Sequence, residues 1–169
     1  MLIGNGVDMT CAVFPGTFDP MTLGHMDILR RARDIFGTVI VAVAESAEKK
    51  PLLTLDERIA LTRELTKDMS GVSVQGFSGL LSDFVVSQGA SVVVRGLRPL
   101  GDFASEYRMA ATNRLLMPGV ETVFLMPSAQ FQFVKSSLVR EIVKMGGSVS
   151  AFVAPAATKA LAAKLRTRD

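Results

Sequence analysis

The chain of 169 residues has one cysteine, Cys11, so it can form no disulfide within itself. Cys11 sits in an apolar run and reads as a small core residue, and a fold that depends on no oxidation suits a reducing cytoplasm. Long apolar runs are missing. The longest, such as Val39-Ile40-Val41-Ala42-Val43-Ala44, fall far short of the roughly 20 residues needed to cross a bilayer. No run of Lys and Arg exceeds two, and aromatic residues are not interleaved with the basic ones. The net charge of +3 therefore favours small anions without the footprint of nucleic-acid binding. One histidine and one cysteine exclude a Cys/His zinc site. There is no G-x-x-x-x-G-K-[ST], and Gly4-Asn5-Gly6 lacks both a third glycine and a preceding strand, so neither a P-loop nor a dinucleotide fingerprint is present. No basic segment followed by an apolar one opens the chain, which argues against a signal peptide. Residues 1–8 are unpatterned and read as an extension before the domain, with Met9 a candidate natural start. No repeat, low-complexity tract or linker divides the rest, so one domain is expected.

What is present is an alternation. Hydrophobic residues make up 49% of the chain and mean hydropathy is +0.34, high for a soluble protein and consistent with extra burial between subunits. Short β-branched runs predict strands over residues 10–14, 38–44, 72–75, 91–94 and 122–126. Helical spacing predicts helices over 24–36, 78–88, 103–116, 136–145 and 155–165. A further helix opens at Thr54, with Glu57 completing a capping box and Leu55, Ile59, Leu61 and Leu65 as its apolar stripe. Strands that are apolar on both faces, alternating with helices, imply an α/β fold with a doubly wound, five-stranded parallel sheet of Rossmann-like type.

The unusual residues are segregated. Pro15 to His25, Lys49-Lys50, Arg95 to Arg98 and Pro127 to Ser137 all follow strands. The helix-to-strand connections hold little beyond Gly37, Ser70-Gly71, Gly89-Ala90 and Pro118-Gly119. In an open parallel sheet the strand-to-helix loops form one rim, where ligands bind. Capping alone also places polar residues there, so the segregation is suggestive rather than decisive. His25 lies at a helix opening beside Gly24, where free N–H groups and the dipole attract phosphate. A lone histidine there could equally cap or pack within the first turn.

The string PGTFDPMTLGHMDI shifts that balance. It resembles the nucleotidyltransferases that carry a T/H-x-G-H motif, here Thr22-Leu23-Gly24-His25, and more closely the phosphopantetheine adenylyltransferases. The resemblance runs from about residue 10 to 165 and includes KKPLLTLDER, VVRGLRPLGDFASEYRMAATNRLLMP, VFLMPS and SSLVREI. It implies transfer of an adenylyl group from ATP to 4'-phosphopantetheine, inhibition by coenzyme A and a homohexamer. It also implies roles for residues. Thr17 and Phe18 would contact ATP, Thr17 also the acceptor phosphate, and His25 would donate to the ATP phosphates. Lys49 would neutralise the reacting phosphates, while Leu81 and Arg95 would contact the acceptor. Gly96, Leu97, Arg98 and Glu106 would bind ATP. So would a closing loop of Phe131, Gln132, Phe133, Val134, Lys135, Ser136 and Ser137. Thr17, His25, Lys49 and Arg98 form the implied catalytic set.

Plainer roles remain open for several of these. Arg98 and Asp102 could form a surface ion pair, and Ser136 could be an N-cap. Arg108 and Arg114 read as surface or subunit contacts, and Leu81 alone would read as core. Two residues depart from relatives: Phe14 stands where tyrosine is common, and Lys135 where a serine triplet is frequent. A phosphate nucleophile is already an anion and needs no general base, and no Ser-His-Asp or Cys-His set is evident. Alignment and charge neutralisation would be the enzyme's tasks. No acidic cluster is evident for magnesium, which would arrive with ATP. The rival readings are a relative with another phosphate acceptor and a non-catalytic nucleotide or coenzyme A sensor.

Overall fold

The computed structural model describes residues 10–98 and 103–166. The expected extension at the N-terminus and Asp102 lie outside them. Five strands form one parallel sheet: β1 (Cys11–Gly16), β2 (Thr38–Ala44), β3 (Val72–Phe77), β4 (Val92–Gly96) and β5 (Glu121–Leu125), in the order β3-β2-β1-β4-β5. Among the described residues, six α-helices join or follow them: α1 (Leu23–Phe36), α2 (Leu55–Thr66), α3 (Leu81–Ser87), α4 (Phe103–Leu116), α5 (Ser136–Lys144) and α6 (Pro155–Arg166). The strand order reverses between β1 and β4, and this places the crevice of an open parallel sheet at their carboxyl ends.

The sheet is covered on both faces because its strands are apolar on both. Ala12, Phe14, Val39, Val41 and Val43 face α1 and α2, while Val13, Ile40, Ala42 and Val93 face α3 and the end of α4. Cys11 is half-buried at the edge of the second cluster. A third cluster joins Leu52, Leu53 and Leu61 to α5 and α6, so the C-terminal helices pack on α2 rather than on the sheet.

Several boundaries differ from the periodicity. Strands β1 and β4 run two residues further, through Pro15-Gly16 and Arg95-Gly96, because parallel pairing carries the ladder past the apolar run. Strand β3 likewise reaches Phe77, paired with Ala44. Its Gly76 is a site of close approach: a Cβ there would sit 2.5 Å from Ile59 Cδ1 of α2. Helix α3 accordingly starts at Leu81 rather than at residue 78. The capping box of α2 is present, with Thr54 Oγ1 accepting from Glu57 N and Glu57 Oε2 accepting from Thr54 N. Its stripe Leu55, Ile59, Leu61 and Leu65 packs on the core as expected, and Arg58, Thr62 and Thr66 are buried beside it. Among the described residues, no helix is long and apolar enough to cross a membrane.

Candidate active site

The turn after β1 leads straight into α1 and sets the geometry of His25. Thr22 is the N-cap of α1 and His25 its third residue. The Thr22 N–H donates to His25 Nδ1 at 3.0 Å, and His25 N donates to Thr22 Oγ1 at 3.3 Å. The plainer role considered for His25, capping within the first turn, is thus real. It occupies only one ring nitrogen. Burial, reinforced by the positive charges of Arg98 and then Arg95, lowers the imidazole pKa to about 4. At neutral pH the ring is uncharged with Nδ1 accepting, so the proton resides on Nε2, the nitrogen left for a ligand. The Phe18 ring meets the imidazole edge-on, with centroids 5.2 Å apart, and holds its plane. Phe18 is buried and lies in the left-handed region at φ 48°, a costly conformation for a non-glycine residue.

His25 lines a cavity of about 760 Å³ that opens over the carboxyl ends of β1 and β4. From the β1 turn it takes Thr17 and Phe18, and from the segment after β2 Lys49. Leu81 of α3 lines it while packing on the second core cluster, so the core and contact readings of this residue coincide. Arg95, Gly96 and Arg98 come from β4 and its loop, and Glu106 from α4. The loop before α5 supplies Phe131, Val134, Lys135, Ser136 and Ser137. Leu97, Gln132 and Phe133 are not among the lining residues. The amide of Leu97 is bonded to Leu125 O, and Phe133 is exposed.

Positive charge converges on this mouth, and its partners differ. Arg95 is gripped by Glu106 through two parallel bonds, Nε to Oε2 at 2.8 Å and NH2 to Oε1 at 2.6 Å, and donates to Pro15 O at 3.0 Å. Glu106 therefore orients Arg95 across the gap between β4 and α4. Arg98 donates to Val134 O at 3.2 Å and so reaches the loop before α5. Lys49 is exposed and has no ion pair among the described residues. Helix α5 opens with Lys135 as an N-cap that makes no side-chain bond to the helix. Ser136 is the first helical residue, and its hydroxyl donates to Pro20 O at 2.8 Å instead of capping. The first-turn N–H groups of α5 lie beside Lys135, Ser136 and Ser137 at the mouth, a setting suited to an anion. Arg114 pairs with Glu121 at the surface, as its helical position suggested.

Sequence reasoning missed several residues here, and four of them shape the site through polar contacts. Asp19, Ser46 and Arg140 line the cavity, and Arg58 lies directly beneath its rim. The Asp19 carboxylate accepts from Leu52 N and Leu53 N, and the Arg140 guanidinium lies 3.3 Å from it. Asp19 stands inside the TFDP string, which was a signal. Arg58 closes the KKPLLTLDER string, yet the run DER on a helix by itself looks solvated.

The fold and this rim define a nucleotidyltransferase of the cytidylyltransferase-like family, whose model matches residues 13–142, and the chain belongs to it. Solved structures agree on the fold. A putative nicotinate-nucleotide adenylyltransferase from Vibrio parahaemolyticus superposes with a TM-score of 0.64 at 18% identity, covering 90% of this chain and 91% of its own. A lipopolysaccharide core biosynthesis protein from Thermoplasma volcanium gives 0.52 at 20% identity, over 71% of this chain and 97% of that one. Sequence narrows the family. The phosphopantetheine adenylyltransferase of Thiobacillus denitrificans is 52% identical over 158 residues, 94% of this chain and 99% of the relative. That of Ralstonia pickettii is 53% identical over 156 residues, 92% and 93% respectively. Within the larger family, the chain belongs with the phosphopantetheine adenylyltransferases.

Proposed function

We propose that the chain transfers the adenylyl group of ATP to 4'-phosphopantetheine, giving dephospho-coenzyme A and pyrophosphate. The observation that carries this reading is the convergence of His25, Lys49, Arg95, Arg98 and the α5 N-terminus on one cavity at the switch point of the sheet. Kinship over nearly the whole chain supplies the substrates. An oxygen of the acceptor phosphate attacks the α-phosphorus in line, and the bond to the β-phosphate oxygen breaks as pyrophosphate leaves. Both reactants are anions, so alignment and charge neutralisation dominate the barrier. Neutral His25 suits a donor through Nε2, because it gives a hydrogen bond to phosphate without itself needing a proton from solvent. Lys49 and Arg98 neutralise the reacting phosphates, and Arg95, fixed by Glu106, binds the acceptor.

Magnesium belongs to the same proposal and arrives on the triphosphate. Among the described residues, no three His, Cys, Asp or Glu side chains converge to hold an ion, and Asp19 and Glu106 are committed to protein partners. A metal held by ATP would supply further neutralisation of the phosphates. The reading extends to a cytoplasmic homohexamer inhibited by coenzyme A. The exposed apolar residues of α4 support an assembly of copies. Purified protein given ATP and 4'-phosphopantetheine should release pyrophosphate only when both are present. Coenzyme A binding without turnover would favour a sensor instead, and turnover with another phosphate acceptor alone would favour a different transferase.

A further inference from the structure

We propose that Asp19 and Arg58 are positioning residues for the transfer: two buried side chains that fix the segment carrying Lys49 against the turn carrying Thr17. This rests on the reading that Lys49 acts at the reacting phosphates.

Lys49 ends a one-turn 3-10 helix (Ala47–Lys49), and its flanks Ser46 and Lys50 both lie in the left-handed region, at φ 50° and 43°. A short segment with two such residues does not hold its shape unaided; its surroundings must impose it. They do so from both ends. At the entry, Ala44 O and Glu45 O accept from Arg58 NH1 and NH2 at 2.6 and 2.9 Å. At the exit, Leu52 N and Leu53 N donate to the two Asp19 oxygens at 2.8 and 2.9 Å, and Leu53 O accepts from Arg58 Nε at 3.2 Å.

The other side of each anchor is the Thr17 turn. Arg58 NH1 also donates to Thr17 O at 2.7 Å, and Asp19 is part of that turn. Thr17 Oγ1 and Ser46 Oγ, 3.0 Å apart, add a direct link between turn and segment. Asp19 and Arg58 are each only 1% exposed. A buried charge is costly and well-packed apolar residues serve stability at least as well. No apolar side chain could grip four carbonyls in two separate loops, as the Arg58 fork does. The arrangement sets the distance between two groups that must act on one phosphate.

The test is a double-mutant cycle on the full chain, read as kcat and KM, at a temperature where circular dichroism and thermal melts show every variant folded. Asp19→Asn keeps the shape and replaces one acceptor by a donor that faces Leu52 N or Leu53 N. It should lower kcat by ~10- to 100-fold, as a misplacement of about 1 Å does, and change KM for ATP by less than about 3-fold. In a Lys49→Ala background the same substitution should change kcat little further, because the group it positions is gone. An equal fold-loss in both backgrounds, with Lys49→Ala itself strongly impaired, would overturn the positioning role and leave the role of Lys49 standing. A Lys49→Ala enzyme with wild-type kcat would overturn both. Should Asp19→Asn fail to fold, Arg58→Lys, which keeps the charge and loses the fork, is expected to show the same coupling to Lys49, and additivity there would equally overturn it.

Discussion

The hydrogen bond from the Thr22 amide decides which nitrogen of His25 carries the proton, and that decides what His25 can do. A donor aimed at developing charge contributes to the transition state more than to binding. His25→Ala should therefore lower kcat by ~10²–10³-fold with a much smaller change in KM, measured in the pyrophosphate assay. The same residue carries a pH signature. Its folded pKa of about 4 lies below the ordinary 6.5, so between those values the unfolded chain binds the proton more readily. Native stability from this residue is complete above that window and is lost as the pH falls through it. The urea midpoint of the wild type should drop more than that of His25→Gln between about pH 7 and about pH 4.5, and parallel curves would show that the ring is not held neutral. Arg95→Ala removes both the cation proposed for the acceptor and the partner of Glu106. It should raise KM for phosphopantetheine more than KM for ATP, whereas equal rises would count against the acceptor assignment.

Among the elements, the edge of the sheet opposite the cavity is built with a tolerance of less than one methyl group. Gly71 precedes β3 at φ 77°, its carbonyl accepts from Val39 N at 2.8 Å, and a Cβ would lie 2.3 Å from Gly37 O. Gly71→Ala must either strain the backbone or part the β2 and β3 starts. It should lower the unfolding free energy by about 2 kcal/mol or more, measured by urea denaturation. The kcat of the folded enzyme should be unchanged, since the lesion is at the amino end of the strands. A stable variant would mean that the two turns relax independently.

For the whole molecule, α4 is the anomaly. Of its residues only Asn113 is buried, while Phe103, Tyr107, Leu115 and Leu116 are exposed, Leu115 to 83%. A helix that is apolar yet uncovered in one chain fits the proposed assembly, in which another copy would cover it. Sedimentation velocity should find a multimer at micromolar concentration, and Leu115→Glu should shift it toward smaller species. A wild-type monomer at that concentration would refute the assembly.

Local pattern was enough to specify five strands, their alternation with helices, both faces of the sheet as apolar and the placing of polar residues after strands, because each depends on side chains a few positions apart. The T-x-G-H string likewise pointed to His25 at a helix start. Folding decided the rest. The strand order put β1 beside β4 and so brought His25 within reach of the Arg95 and Arg98 charges that help keep it neutral. Which loop residues face the cavity was also settled there: Leu97, Gln132 and Phe133 were among the implied ATP contacts but do not line it, since neighbouring residues in a turn point different ways. Arg58 is the clearest case. Beyond its place at the end of the KKPLLTLDER string, nothing in Asp56-Glu57-Arg58 distinguishes it from a solvated helix charge, because the carbonyls that justify its burial come from residues 17, 44, 45 and 53, and only the folded chain brings them together.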